Sequence, residues 1–374
     1  MNSRFQPLFE PFTFRSGVTV KNRVLMAPMT NFASHQNGEV SDEELAYYRV
    51  RSGGVGAVVT ACVYVTLDGK GFYGEFGADT DEMIPSLRRL ADTIHAEGAK
   101  AILQIYHGGR LSPVDQIPDG TPLSASAVPA EQENAPVPRE MTEEDIQRVI
   151  AAYGEATRRA IEAGYDGVEI HGANGYLLQQ FFSPHANRRD DAWGGTLEKR
   201  MAFPLAVVNS VKEAIAKHAR RPFILGYRLS PEEGHEPGIT FEDTLQLVDR
   251  LADQEMDYLH ISVNHFFGGS FRDRSQTESR TVLIHEKVGS RVTVIGVGSL
   301  DTPEEAVKAL ETGVPLVALG RPLLMDPEWV QKAENGKEDS IRTTISKQAQ
   351  EELVIPDVLW GALVNTPGWM PVVD

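Results

Sequence analysis

Cysteine occurs once in the 374 residues, at Cys62. One thiol excludes an internal disulfide framework, a thiolate-bound zinc site and a four-cysteine iron–sulfur cluster, and it suits a reducing cytoplasm. Positive charge is scarce as well: 36 lysines and arginines face 53 aspartates and glutamates, a formal net charge of -17. Nucleic acid and anionic membrane surfaces both demand a basic footprint, so neither is an expected partner. No stretch has the length and apolarity of a membrane span, and Met1 to Phe14 lacks the basic and apolar regions of a signal peptide. Short repeats and low-complexity tracts are missing, and no Gly-x-Gly-x-x-Gly opens a first βαβ unit.

What is present is one alternation, repeated: a capped amphipathic stretch, a glycine, then a short β-branched run. Thr142 to Asp145 is a capping-box signal, followed at helical spacing by Ile146, Val149, Ile150, Tyr153 and Ile161, a stop at Gly164 and a buried strand over Gly167 to His171. The unit returns at Thr240 to Asp243 before the strand Tyr258 to Val263, and at Thr302 to Glu305 before Pro315 to Leu319. Ser41 to Glu44 opens another helix, with Val55 to Thr60 after it. Val24 to Ala27, Lys100 to Ile105, Pro222 to Tyr227 and Arg291 to Ile295 bring the candidate strands to eight. Eight such units suit a closed (β/α)8 TIM barrel better than an open doubly wound sheet. The expected core runs from about residue 22 to 330 of a single domain, with 331–374 as a C-terminal extension. Gly108 to Arg139, with six prolines and few apolar anchors, reads as a loop or subdomain over the C-terminal mouth.

A barrel places its chemistry at the C-terminal ends of its strands. Strand four ends in His171-Gly-Ala-Asn174-Gly-Tyr176. An imidazole and a carboxamide there would polarise a bound carbonyl, leaving its β carbon electrophilic, and the phenol could protonate the α carbon. A core histidine and a helix-capping asparagine are the plain alternatives. Gly298-Ser299 follows strand seven and Gly320-Arg321 follows strand eight, where barrels commonly hold a phosphate on backbone N–H groups and a nearby cation. Turn glycines are the alternative there.

Ala27-Pro28-Met29-Thr30, Gln104, the His171 to Tyr176 run, Ser183-Pro184, Asn187, Arg189, Asp191, Gly194-Gly195, Arg200 and Gly320-Arg321 together resemble the Old Yellow Enzyme family. The resemblance covers Pro7 to about Trp329 and implies bound FMN, with NADH or NADPH as hydride donor. It also implies reduction of activated C=C bonds in enones or nitroalkenes by a ping-pong mechanism. In that family Ala27 to Thr30 would line the isoalloxazine, with the Thr30 hydroxyl near O4 and N5, and Cys62 would sit beside the ring. Gln104 would meet the pyrimidine edge and Arg228 the N1 and O2 region, while Gly298, Ser299, Gly320 and Arg321 would hold the phosphate. His171, Asn174 and Tyr176 would bind and protonate the substrate. Apart from the resemblance, the aromatic run His265-Phe266-Phe267-Gly268-Gly269 after strand six could form a mobile substrate wall, with a pair of buried loop phenylalanines as the plain alternative.

Three departures stand out. Asn174 is the second donor where another branch has histidine, Trp193 replaces the usual tyrosine, and Thr30 stands where another branch has a redox-tuning cysteine. Cys62 is expected to be apolar filler. Competing readings are a noncatalytic flavin-binding protein, a dienoyl-CoA reductase-like module, and a metal hydrolase or aldolase. The last lacks a His-x-His or carboxylate-rich set at the strand ends, and no metal is expected. Association into a homo-oligomer is left open by the sequence.

Overall fold

In the computed structural model of the chain, which describes residues 2–373, eight parallel strands close into a barrel. They are β1 (Val24–Met26), β2 (Ala57–Tyr64), β3 (Lys100–Tyr106), β4 (Gly167–Gly172), β5 (Ile224–Leu229), β6 (Tyr258–Ile261), β7 (Thr293–Val297) and β8 (Leu316–Leu319). Each pairs with the next in chain order, and β8 returns to β1. All eight lie where the sequence pattern puts a strand, with ends displaced by a few residues.

The connecting helices are α1 (Asp42–Ser52), α2 (Ile84–Ala96), α3 (Glu143–Ala163), the short α4 (Leu177–Phe182), α5 (Leu197–His218), α6 (Phe241–Ala252), α7 (Arg280–Val288) and α8 (Pro303–Glu311). Reciprocal capping boxes open α3, α6 and α8 through Thr142 with Asp145, Thr240 with Asp243 and Thr302 with Glu305. Gly164 ends α3 at φ 94°, a left-handed turn that favours glycine. In contrast α2 starts on Met83 with no side-chain cap, so Pro85 in its first turn is the N-terminal signal it carries in the sequence. Among the described residues no helix is long and apolar enough to cross a membrane.

Strand side chains alternate between the barrel interior and the helical layer. Leu25, Ala57, Val59, Ile102, Ile224, Tyr258, Ile295 and Leu316 fill the interior near the N-terminal ends of the strands. Two positions beyond Ile102 and Tyr258 the same parity delivers Gln104 and His260, four beyond Ile224 it delivers Arg228, and two beyond Gly167 it delivers Glu169, all buried. The filling therefore changes from apolar to polar along the barrel axis. On β2 the register slips between Val59 and Cys62, a bulge that brings Cys62 opposite Gln104. Strict alternation from Val59 would have turned Ala61 inward; the extra residue hands that place to Cys62.

The irregular segments brace the mouth. Gly108 to Arg139 is stitched down by a two-residue strand, Leu123–Ser124, paired in parallel with Arg139–Glu140. The motif residues beyond β4 cap backbone carbonyls. Asn187 donates to Phe181 and Trp193 at 2.6 and 2.8 Å, Arg189 to Ala125 and Met141 at 2.9 and 2.8 Å, and Arg200 to Phe182 and Gly195 at 2.9 and 3.0 Å. Trp193 Nε1 meets Glu143 Oε2 at 2.6 Å, joining this segment to the first turn of α3. After 331, Leu359 and Trp369 turn back to the barrel and line its cavity.

An antiparallel hairpin, Phe12–Thr13 with Thr19–Val20, brings Phe14 against the apolar end, 5.8 Å from the Tyr258 ring. Phe14 is 2% exposed. Phe14→Ala is expected to cost about 3–5 kcal/mol, as a cavity left by a buried aromatic does, read from urea unfolding. A loss below about 1 kcal/mol would show that the hairpin does not plug the barrel.

Candidate active site

The C-terminal ends of the strands open into a cavity of about 710 Å³, lined by Ala27 to Thr30, Arg228, Gly298, Ser299, Gly320 and Arg321. Phe32, Phe72, Tyr176 and Trp369 add aromatic walls. Below it a polar recess of about 80 Å³ is lined by Thr30, Cys62, Gln104, His171, Asn174, Tyr176 and Arg228. Every expected cofactor or catalytic residue thus faces one connected region at the barrel mouth.

Phe266 and Phe267 are the exceptions. Phe266 is 1% exposed, packed on Gly296 of β7, where an added Cβ would come within 2.2 Å of its ring. Phe267 points outward and is 47% exposed. Neither borders the cavity, so the expected mobile wall is corrected: the loop after β6 presents Val263, Asn264 and His265 instead. The phenylalanine ring was captured by a glycine on the neighbouring strand, a tertiary contact that local sequence does not reveal.

Glu169 on β4 accepts hydrogen bonds from Gln104 Nε2 at 2.7 Å, Tyr258 Oη at 2.8 Å and His260 Nδ1 at 2.9 Å. Burial pushes its carboxyl up, but His260 and Arg228 with these hydrogen bonds outweigh burial and hold it below the usual carboxylate range. An ionised carboxylate only accepts, so the Gln104 amide must turn its NH2 to Glu169, leaving Oε1 as an acceptor. Arg228 Nη1 lies 2.7 Å from His260 Nε2. Burial, then the Arg228 charge, lowers His260 to about 4. A neutral His260 with its proton on Nδ1 satisfies both neighbours, donating to Glu169 and accepting from Arg228.

His171 is shifted the same way, to about 3, by burial first and Arg228 second. The Ala173 backbone N–H donates to its Nδ1 at 3.2 Å, which leaves the proton on Nε2. Asn174 has φ 57°, left-handed backbone that asparagine tolerates better than most residues, and its Oδ1 accepts from Ser262 Oγ at 2.9 Å. The carboxamide NH2 is then the free end. Tyr176 stands edge-on to His171 and Tyr106, with ring centroids 5.0 and 4.9 Å apart. Burial lifts its phenol well above the usual tyrosine range, so it is a protonated donor at neutral pH. Burial likewise lifts the Cys62 thiol, which argues against a thiolate nucleophile.

At the other end of the cavity Gly298 (φ 116°) and Ser299 (φ 48°) are consecutive left-handed residues. A Cβ on Gly298 would lie 2.5 Å from the Val263 carbonyl, so only glycine fits that close approach. Arg321 donates to Ser299 Oγ at 3.0 Å and approaches the Trp369 carbonyl at 3.5 Å; among the described residues no carboxylate pairs with it. A cation beside small residues at one end, with Arg228 and an oriented Gln104 at the other, fits a flavin mononucleotide in charge and in hydrogen-bonding character.

A family model described as NADH:flavin oxidoreductase / NADH oxidase matches residues 7–340. The chain belongs to this family. FMN is its cofactor and a reduced nicotinamide its hydride donor. Over 374 residues, all of both chains, it is 49% identical to a probable NADH-dependent flavin oxidoreductase, YqiG, of Bacillus subtilis. It is 44% identical to an NADH:acrylate oxidoreductase of Vibrio harveyi over 94% of its own length but 35% of that protein's, so it spans about a third of that relative. Among solved structures, an Old Yellow Enzyme homologue from Zymomonas mobilis superposes with TM-score 0.77 at 25% identity, covering 88% of this chain and 92% of that one.

Sequence reasoning missed Glu169, His260, Ser262, Phe32 and Phe72. The first three carried a signal: each is polar at an interior parity position of a strand or its end. The two phenylalanines sit in irregular loops with no such mark. Away from the cavity, Glu131, His185 and His235 bring possible ligand atoms within 4.8 Å of one another, a group drawn from three separate loops and invisible to a search of strand ends.

Depressed imidazole pKa values set a pH expectation. His171 should stay neutral from pH 8 down to below pH 5, because its charged form is stabilised only in the unfolded chain. Nitrogen-15 NMR of the imidazoles checks it; charging of His171 near its ordinary value, around 6.5, would contradict the assigned neutral donor.

Proposed function

We propose that the chain reduces C=C bonds conjugated to a carbonyl or nitro group, with both half-reactions using one cavity in ping-pong order. The observation that carries this reading is the convergence of two neutral donors, His171 and Asn174, and one protonated phenol, Tyr176, on the recess that also holds Gln104 and Arg228. FMN, when bound, supplies hydride storage: it accepts hydride from NADH or NADPH and returns it to an alkene.

The remaining work falls to side chains. Arg321 with the Gly298-Ser299 and Gly320 backbone would hold the phosphate, and Ala27 to Thr30 with Cys62 would bear on the ring. Gln104 would accept from the pyrimidine edge, while Arg228 would offset negative charge there in a low-dielectric setting. His171 Nε2–H and the Asn174 NH2 would grip the substrate oxygen, drawing electron density from the β carbon that receives hydride. Tyr176 would then give its proton to the α carbon and recover one from water at the cavity mouth. Overall the alkene gains one hydride and one proton. Acrylate, named for the relative from Vibrio harveyi, is an alkene of this conjugated kind. A noncatalytic flavin carrier would have no use for an oriented donor pair beside a proton source.

Tyr176→Phe separates the two halves. Bleaching of the flavin by NADH should be nearly unchanged, while turnover with a cyclohexenone should slow by roughly 10²–10⁴-fold, the usual loss with a general acid. Stopped-flow absorbance reads both. An equal loss in the two halves, or none in either, would remove Tyr176 from the proposed role.

A further inference from the structure

A carboxamide beside a substrate can present either its oxygen or its NH2, and the two ends recognise opposite chemistry. Rotation about the Cβ–Cγ bond of asparagine costs little, so something must decide which end faces the ligand. At Asn174 the neighbours are two serines. Ser262 Oγ lies 2.9 Å and Ser230 Oγ 3.3 Å from Asn174 Oδ1.

Each hydroxyl is already engaged by a group that can only donate. Arg228 Nη2 donates to Ser262 Oγ at 3.2 Å, and the Asn174 backbone N–H donates to Ser230 Oγ at 3.0 Å. A guanidinium and an amide N–H have no acceptor, so both serine oxygens are acceptors in these contacts. Each serine then has one proton to place, and Asn174 Oδ1 is the acceptor in reach of both. Turning the amide over would set its NH2 against two hydroxyl protons and hand those protons to solvent, at the modest net cost of exchanging two intramolecular hydrogen bonds for ones to water.

We propose that Ser262 and Ser230 are positioning residues that lock the Asn174 carboxamide with its NH2 toward the recess. The direction of the lock originates at Arg228, whose fixed charge polarises Ser262 and through it Asn174. The site is thereby committed to ligands whose head group accepts hydrogen bonds, namely carbonyl, nitro or carboxylate oxygens, and set against head groups that donate. This inference rests on the reading that Asn174 grips the substrate oxygen, and the test separates the two.

Two flat ligands of one shape and opposite head chemistry provide the probe: 4-chlorophenol, bound as an acceptor oxygen, and 4-chloroaniline, a donor. Flavin absorbance changes on titrating the holoenzyme give both dissociation constants. In Ser262→Ala combined with Ser230→Ala, 4-chlorophenol should bind roughly tenfold more weakly while 4-chloroaniline holds or improves, because the freed amide can turn its oxygen to the ligand. Ser262→Thr, which keeps the hydroxyl, should restore the wild-type preference. An unchanged phenol-to-aniline ratio in the double variant overturns the inference, and so does an equal weakening of both ligands, the mark of a merely disturbed fold. Asn174→Ala guards the underlying reading: if it binds 4-chlorophenol as tightly as wild type, Asn174 does not grip the oxygen and that reading fails first. If Asn174→Ala loses the phenol while the serine variant keeps its preference, only the lock is wrong.

Discussion

The barrel mouth is organised around one buried pair of opposite charges, Glu169 and Arg228, separated by the neutral ring of His260. Placing a carboxylate and a guanidinium away from water is costly, and it is tolerated only when their hydrogen-bonding capacity is filled. Here Glu169 meets three donors, while His260 and Ser262 receive Nη1 and Nη2 of Arg228 and leave part of its donor fork to face the cavity. The consequences spread outward by forced direction. Glu169 turns Gln104, so its oxygen is the end left over, and Arg228 turns Ser262, which turns Asn174. The same Arg228 charge helps keep His171 neutral. Orientation at the site is therefore inherited from charges that cannot reverse their roles.

The apolar half of the barrel makes that arrangement possible. Strand parity carries Ile102, Ile224 and Tyr258 inward toward the N-terminal ends and Gln104, Arg228 and His260 inward further along the same strands, so rigid strands place the polar groups. Tyr258 belongs to both levels, packing on Phe14 below and donating to Glu169 above. Its ring needs Gly226 beside it, since a Cβ there would fall 2.1 Å from the ring. The stretch from Gly167 to Arg200, the most specific part of the family resemblance, divides in two: His171, Asn174 and Tyr176 line the recess, whereas Asn187 to Arg200 lies away from it. Asn187, Arg189 and Arg200 tie down loop carbonyls, so the recognisable stretch holds both site and scaffold.

Much of this was legible beforehand. Eight strands followed from the alternation of capped helices and β-branched runs, and three capping boxes stood where the threonines indicated. His171, Asn174 and Tyr176 were readable because a polar run at the end of an apolar strand has few structural uses. Glu169 and His260 were readable in principle, since a charged residue and an imidazole inside runs such as Val168-Glu169-Ile170 and Leu259-His260-Ile261 must find partners. Both sit inside their strands rather than at the C-terminal ends, where the barrel rule places chemistry. The bulge that admits Cys62, the capture of Phe266 by Gly296 and the aromatic walls Phe32, Phe72 and Trp369 depend on contacts between distant segments, which periodicity does not encode.

The central claim is that this chain by itself carries hydride from a nicotinamide to a carbon–carbon double bond. An anaerobic single turnover with 4-deuterated NADH and 2-cyclohexenone tests it most directly. The account predicts that the flavin bleaches and then recovers, and that the saturated ketone carries deuterium at its β carbon. A flavin that NADH bleaches but the enone does not restore, with no deuterated ketone formed, would contradict it and leave the chain an NADH-oxidising flavoprotein whose electrons go elsewhere.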